Sequence, residues 1–429
     1  MSGQGSHSEG SNLQLSSRRS GFRAWIPLEP NEWGLLAAIV LVLVLTTAID
    51  PEHDYFFRPL DSAVDILRRT SMLGIFALGS AMVIIAGGID LSSGSVIAFS
   101  GTVCGTAMLL LAPNAMQGVG TPLGLGVISA GLAAAMVAGL LIGSLHAWLI
   151  TVIELPPFVA TLATLVGLRS LGRAIIPEVT GSMWGRQSNQ IQIFDDQFRY
   201  LSTAPYAWVP FVVFLILSLV AYVMLSHMVV GRHLYALGGN EEAARLSGIR
   251  TDRLKWLAYC FSAVLASVAG VLYIAEQSVA DPQTLGRGYE LNAIAAAVVG
   301  GCSLRGGKGG VLGTVLGCLF LSVVIDGVYK IIASGADVYE GLIVGGVVVV
   351  AVAFSQLRGG GSSRRAIFPG ALGIVAIFTL VALAGTIGTT VSRQGGLLPG
   401  ATMAGATLIV LVMLKTFEVR RRQRAARSP

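Results

Sequence analysis

The sequence predicts an all-α integral membrane protein, a polytopic helical bundle of about ten core spans with two extra spans at its C-terminal end. Three observations predict it. Of 429 residues, 54% are hydrophobic and only 12% are charged, against about 25% charged in an ordinary soluble domain. The apolar residues fall in blocks: Leu35 to Ile49, Leu73 to Ala86, Val209 to Leu225 and Val344 to Phe354 contain no charge. A helical span needs about 20 mostly apolar residues. The blocks are too long and too uniformly apolar for the alternating segments, about 10 residues each, of a membrane barrel.

Residues 1–31 are rich in Ser, Gly and Arg and are expected to form a disordered cytoplasmic tail. The core membrane domain, 32–356, is expected to carry spans near 33–49, 66–86, 94–112, 123–150, 156–176, 207–226, 256–276, 289–301, 311–332 and 339–356. An extension, 357–429, adds spans near 367–388 and 397–414 and then a basic tail. The first apolar block follows a long polar leader and runs into Asp50, Pro51 and Glu52 without a small-residue cleavage site, so no signal peptide is expected.

The formal charge of +6 sits in the gaps between blocks, with no patch interleaved with aromatics, which argues against a nucleic-acid partner. Arg232, Arg245, Arg250, Arg253 and Lys255 crowd the loop 227–255, and Arg358, Arg364 and Arg365 the next. Cytoplasmic loops carry excess Lys and Arg, so these loops and both termini are expected inside. The 177–206 connection, with Glu178, Asp195 and Asp196, is expected outside. Arg68 and Arg69 then fall on the outer side against the rule, and are expected to face water or a partner.

Cys104, Cys260, Cys302 and Cys318 stand singly in apolar or Gly-rich stretches and read as small buried hydrophobes. The five histidines form no pair at helical spacing, and no metal site is expected. Gly139 with Gly143, Gly309 with Gly313 and Gly317, and Gly341 with Gly345 have the small-residue spacing that lets helix backbones approach in lipid.

Two places break the apolar pattern. The first is Gly87-Gly88-Ile89-Asp90-Leu91-Ser92-Ser93-Gly94-Ser95, and the second runs from Gly300 and Gly301 through Cys302, Arg305, Gly306, Gly307 and Lys308 to Gly310. Helix breaks in matching places of two halves point to a transport pathway. A carboxylate at bilayer depth costs about 2.5–3.5 kcal/mol, so Asp90 faces a cavity or caps a structure. With Ser92 or Ser93 it also reads as the N-cap of the next helix, and both readings stand. The second break nearly spells a phosphate-binding loop, but Cys302 occupies the first glycine position and Gly309 replaces the Ser or Thr. It is expected to be a flexible cytoplasmic connection that binds no nucleotide.

The stretch Gly231 to Ile249 is cytoplasmic on this topology. Asn240 is a natural N-cap, Glu241 and Glu242 suit the positive helix end, and Gly248 is a terminator. Glu241 and Arg245 stand four apart, the spacing of a helical ion pair. A short helix outside the bilayer is predicted.

Glu242-Ala243-Ala244, Arg245 and then Gly248 resemble the EAA…G loop of ATP-binding-cassette (ABC) importer permeases. The wider stretch 231–249, GGIDLSSGS at 87–95, PFVATL at 157–162 and GYELNAIAAAVVGG at 288–301 resemble the ribose-type sugar permeases of that class. The resemblance spans about 33–356. It implies a subunit without an ATPase site of its own, paired with a second permease copy or homologue, a separate ATPase that hydrolyses the ATP, and a periplasmic sugar-binding protein. It implies residence in a bacterial inner membrane, with Glu241, Glu242, Ala243, Ala244, Arg245 and Gly248 docking the ATPase. Asp90, Ser92, Ser95, Tyr289, Glu290 and Asn292 are the candidate pathway residues, and Gly87, Gly88, Gly94, Gly300, Gly301, Gly306 and Gly307 the helix-break glycines. Tyr289 and Glu290 also read as anchors at a helix end. Asn292 stands where these permeases commonly have Asp, and Cys302 where Thr is usual.

Other classes fit less well. An ion-gradient transporter wants ionisable groups deep in several spans, and only Asp90 and Asp326 qualify. An intramembrane enzyme wants a convergent nucleophile and base, and none is seen. A regulatory protein derived from a permease fits the extra spans. The cargo, a pentose, a hexose, a nucleoside or another small polar solute, is not encoded in these motifs.

Overall fold

Proline and glycine set many of the helix ends in the computed structural model, which describes residues 30–116, 122–203, 208–331, isolated positions between 341 and 389, and 397–427. Helix α1 (Pro30–Ile49) is followed by a single turn, α2 (Asp54–Phe57), and by α3 (Pro59–Ile85). Proline at a first helical position loses only an N–H that has no partner there. So α3 starts ahead of the expected residue 66 and carries Asp61, Asp65, Arg68 and Arg69 on its early turns. Next come α4 (Ser93–Leu111), α5 (Pro113–Met116), α6 (Leu125–Thr151) and α7 (Pro157–Trp184).

Helix α7 corrects the expected end at 176. It runs through Pro177 and stops at Gly185, whose φ is +67°. An interior proline removes one hydrogen bond to the preceding turn, and the helix bridges that loss. The described part of the 177–206 connection, up to residue 203, also holds regular structure. Strand β1 (Ile191–Gln192) pairs antiparallel with β2 (Val279–Ala280), and the single turn α8 (Asp196–Arg199) is capped by Asp195, which accepts from the Phe198 N–H at 2.9 Å.

Beyond it lie α9 (Val209–Ser226), α10 (Val229–Gly239), α11 (Glu241–Leu246), α12 (Thr251–Gln277), α13 (Tyr289–Val299), α14 (Val311–Ile331) and α15 (Leu397–Arg427). Among the described residues eight helices are long and apolar enough to cross a membrane: α1, α3, α4, α6, α7, α9, α12 and α14. The expected span 289–301 is not one of them. Helix α13 has 11 residues, about 16 Å of rise, roughly half of the ~30 Å hydrocarbon core. Gly288 (φ +81°) turns the chain into it and Gly301 (φ +99°) turns it out. The expected spans 339–356 and 367–388 lie largely outside the described residues, as does the tail 1–31 apart from Pro30 and Asn31. The last expected span falls inside α15, which continues into the basic segment to Arg427.

Helix α12 is the axis of the bundle, with α3, α4 and α6 packed around it. Glycines set how close they come. A Cβ on Gly143 of α6 would lie 2.5 Å from the Cys260 Cα, and one on Gly139 2.2 Å from Ser267 Oγ. On α14, Gly313 and Gly317 would strike the carbonyls of Gly300 and Ala296 at 2.0 and 2.1 Å, so α13 lies directly against α14. Gly341 and Gly345 meet nothing within 4 Å among the described residues. Cys104, Cys302 and Cys318 are buried, Cys260 is half-buried, and all four are free.

The turn α2 is fastened to the far end of α14. Tyr55 donates its hydroxyl to Asp326 at 2.8 Å, Lys330 donates to Asp54 at 3.1 Å, and the Lys330 ammonium lies 5.1 Å from the Tyr55 ring centre. Burial first, then the bond to Asp326, holds the Tyr55 phenol far above its usual range, so it stays a donor. Tyr55→Phe is expected to cost about 1.5–3 kcal/mol, the worth of a hydrogen bond to a charged group. The thermal midpoint of the detergent-solubilised protein reads this, and an unmoved midpoint would show that the fastening contributes nothing.

Candidate functional site

The first helix break is a closed polar knot. Gly87 (φ +85°) turns the chain at the end of α3, and a non-helical segment leads to α4. Asp90 is buried there, with Oδ1 accepting from Ser92 N–H at 2.8 Å and from Ser92 Oγ at 2.6 Å. Its Oδ2 accepts from Ser262 Oγ of α12 at 2.8 Å, and Ser95 Oγ donates to the Ser92 carbonyl at 2.7 Å. Both carboxylate oxygens are occupied. Asp90 therefore pins the start of α4 to the middle of α12.

The half-helix α13 begins beside that knot. Arg169 of α7 donates to the carbonyls of Leu285 at 3.0 Å and Gly286 at 2.9 Å, holding the loop that delivers the chain to Tyr289. A Cβ on Gly94 would lie 2.2 Å from both Glu290 Oε2 and the Gly286 carbonyl. Glycine at 94 thus lets the first turns of α4 and α13 touch, with Glu290 packed behind α13. Tyr289 turns the other way. It is half-buried, stacks on Phe76 (centroids 5.9 Å, 7° between planes) and leans on Tyr273 at 5.0 Å.

These aromatic rings wall a cavity of about 310 Å³ between α3, α12, α13 and α14. Asn292 adds an amide one turn beyond Tyr289, and Arg68, Arg69, Glu276 and Tyr329 also line the space. Arg68 is paired with Glu276 and stands 3.4 Å from Asp65, while the Arg69 guanidinium lies 4.8 Å from the Tyr329 ring centre. Ser322 is buried in the wall, and neither its Oγ nor Arg69 Nε has a hydrogen-bond partner among the described residues. Buried donors want acceptors, and these two point into the wall of the cavity without one.

Of the six candidate pathway residues, Tyr289 and Asn292 line this cavity, while Asp90, Ser92, Ser95 and Glu290 do not. Sequence reasoning missed Tyr273, Glu276, Ser322 and Tyr329. One signal was present: Arg68 and Arg69, two charges that broke the topology rule, stand in the cavity wall.

At the opposite end of α12 lies the 227–255 segment, which forms two helices, α10 and α11, where one was expected. Asn240 caps α11 by accepting from the Ala243 N–H at 3.0 Å, and Gly248 (φ +82°) turns the chain out of it. Ala244 faces inward, whereas Glu242, Ala243, Arg245 and Leu246 are exposed, Leu246 at 82%. Glu241 does not pair with Arg245. It reaches Lys255 of α12 at 2.5 Å, because the turn at Gly248 lays the start of α12 beside α11. A basic cleft of about 530 Å³ opens next to Gly248 between His233, Arg250 and Arg253.

The second helix break also differs from expectation. It is tied down by backbone bonds: Ser303 N–H to the Lys308 carbonyl at 3.0 Å, Gly306 N–H to Ser303 at 2.8 Å, and Gly307 N–H to Ile85 at 2.9 Å. Positive φ at Gly301, Gly306, Gly307 and Gly309 makes that path possible.

A protein family described as "Branched-chain amino acid transport system / permease component" matches residues 62–352. The chain belongs to this family. It is 34% identical over 336 residues to the ribose import permease RbsC of Escherichia coli (strain K12), covering 78% of this chain and 95% of that one. RbsC of Bacillus subtilis (strain 168) is 31% identical over 322 residues, 74% and 90% of the two chains. The D-allose transport system permease AlsC of E. coli (strain K12) is 28% identical over 327 residues, 76% and 92%. The chain is thus a ribose-type ABC permease, a multi-pass membrane subunit of a class that works with an ATPase and a substrate-binding protein. The family match stops at 352, so α15 lies beyond it.

Proposed function

We propose that this chain is the translocation subunit of an ATP-driven importer for a neutral simple sugar, ribose-like or xylose-like. The observation that carries the reading is the cavity. Its volume lies at the small end of the range for small-molecule sites, about 300–1,000 Å³, which suits one sugar ring. Aromatic faces offer stacking to C–H surfaces, and Asn292, Ser322 and the Arg68–Glu276 pair offer hydrogen bonds to hydroxyls. The membrane domain is 32–356, with 227–255 as its cytoplasmic coupling loop and 357–429 as an assembly extension. The cavity opens outward, where a periplasmic binding protein delivers the sugar. A second copy or a homologue completes the path.

ATP binding closes the partner ATPase, and α11 transmits the motion. Glu242 and Arg245 supply polar register, Leu246 an apolar contact, and the small residues Ala243 and Gly248 close approach, while Glu241 holds α11 to Lys255. Asp90, Ser92 and Ser95 set the depth at which α4 starts without touching solute. Full occupation of Asp90, and the Tyr55 bond to Asp326, support ATP coupling over an ion-gradient mechanism.

The test is import by proteoliposomes holding the chain, its ATPase and its binding protein. ATP-dependent uptake of ribose or xylose is expected, insensitive to an uncoupler. Uptake of a nucleoside and no sugar, or uptake that ignores ATP and collapses with the uncoupler, would overturn the reading. The double reversal Glu242→Arg with Arg245→Glu is expected to abolish uptake while leaving membrane insertion intact. Full uptake by that variant would refute the docking assignment.

A further inference from the structure

The two helix breaks and the coupling segment meet backbone to backbone at Gly238, in the last turn of α10. A Cβ on Gly238 would lie 1.9 Å from the Ile85 carbonyl oxygen at the end of α3 and 2.5 Å from the Gly307 nitrogen. From the other side, a Cβ on Gly306 would lie 2.5 Å from the Gly238 carbonyl oxygen and 2.8 Å from the Gly87 Cα. Two bonds tie the three segments further. Gly307 N–H donates to the Ile85 carbonyl at 2.9 Å, and Tyr235, one turn before Gly238, donates its hydroxyl to the Gly309 carbonyl at 2.9 Å. No side chain lies between these backbones. Side-chain contacts absorb displacement by changing rotamer, whereas packed backbone does not yield.

Three of the four helices that wall the cavity, α3, α13 and α14, lead away from this junction. Helix α3 runs from Ile85 back to Arg69, 16 residues and so about 24 Å away. Helix α14 starts just past Gly309 and carries Ser322 and Tyr329. Helix α13 ends at Gly300, whose backbone meets Gly313 of α14, and carries Tyr289 and Asn292.

We propose that Gly238 and Tyr235 are positioning residues of transport: they form the joint through which displacement of α10 and α11 moves both helix breaks together and so reshapes the cavity. The joint rests on the ATP-coupled function proposed above. Gly239, its neighbour, provides the control, since a Cβ there would meet nothing within 4 Å.

The test uses the complete importer in proteoliposomes and reads sugar imported per ATP hydrolysed. Tyr235→Phe, which deletes one hydrogen bond and adds no volume, is expected to lower that ratio about threefold to tenfold. Gly238→Ala is expected to lower it further, and Gly239→Ala to stay within about twofold of wild type, as an unobstructed substitution does. A role confined to folding would reduce the yield of complex and leave the ratio unchanged. A wild-type ratio in Tyr235→Phe, with wild-type import intact, overturns the joint alone, and this holds even if Gly238→Ala fails to fold. A wild-type complex that hydrolyses ATP and imports no sugar refutes the proposed function and the joint with it.

Discussion

Asp90→Ala is expected to destabilise the bundle by about 3 kcal/mol or more, because three donors lose one acceptor pair at about 1–3 kcal/mol each. The donors are Ser92 N–H, Ser92 Oγ and Ser262 Oγ, at 2.6–2.8 Å from the carboxylate. All sit in the interior, and no lipid group replaces what they lose. Asp90→Asn keeps the carbonyl acceptor for Ser92 and reverses the bond to Ser262, whose hydroxyl can accept from the amide, so a smaller loss, that of the carboxylate charge, is expected. Adding Ser262→Ala to Asp90→Ala removes one orphan and is expected to recover part of the loss, a coupling that a double-mutant cycle measures. Thermal midpoints in detergent read all three variants. A midpoint unmoved by Asp90→Ala would mean that the knot holds nothing.

The chemistry of this knot was legible and its destination was not. A buried Asp in an apolar run announces itself, yet whether its oxygens face a cavity or a serine depends on Ser262, which follows 172 residues later. Local signals read well for the same reason that distant ones read poorly. Asn240 caps α11 through a neighbour three residues on, so sequence suffices. The partner of Glu241 is Lys255, chosen by how the Gly248 turn folds back, and helical spacing pointed instead to Arg245. Hydropathy found the eight long spans but added α13 to them as a further one, since apolar composition reports burial and not depth. The glycines at 286, 288, 300 and 301 mark the half-helix only once α14 is seen against it. Arg68 and Arg69 were the most informative anomaly: charges in the wrong loop by the topology rule are charges in a cavity wall.

Tyr289→Ala is expected to lower sugar import about thirtyfold, the equivalent of roughly 2 kcal/mol for truncating a central aromatic anchor. The ring is held between Phe76 and Tyr273, so its truncation removes an aromatic face of the cavity and slackens the other two. The measure is concentration-dependent import by proteoliposomes, with ATPase binding checked in parallel. Binding is expected to be unchanged, since α11 packs on α10 and α12. Tyr289→Phe preserves the stack and is expected to lose less than about fivefold, the hydroxyl's hydrogen bond alone. If the loss comes from stacking of solute on the ring, Tyr289→Ala raises the half-saturating concentration. If it comes from collapse of the cavity wall, the maximal rate falls as well. Import by Tyr289→Ala within about twofold of wild type would be less than a typical contact residue costs, and would place the solute on a path that does not pass between α3, α12, α13 and α14.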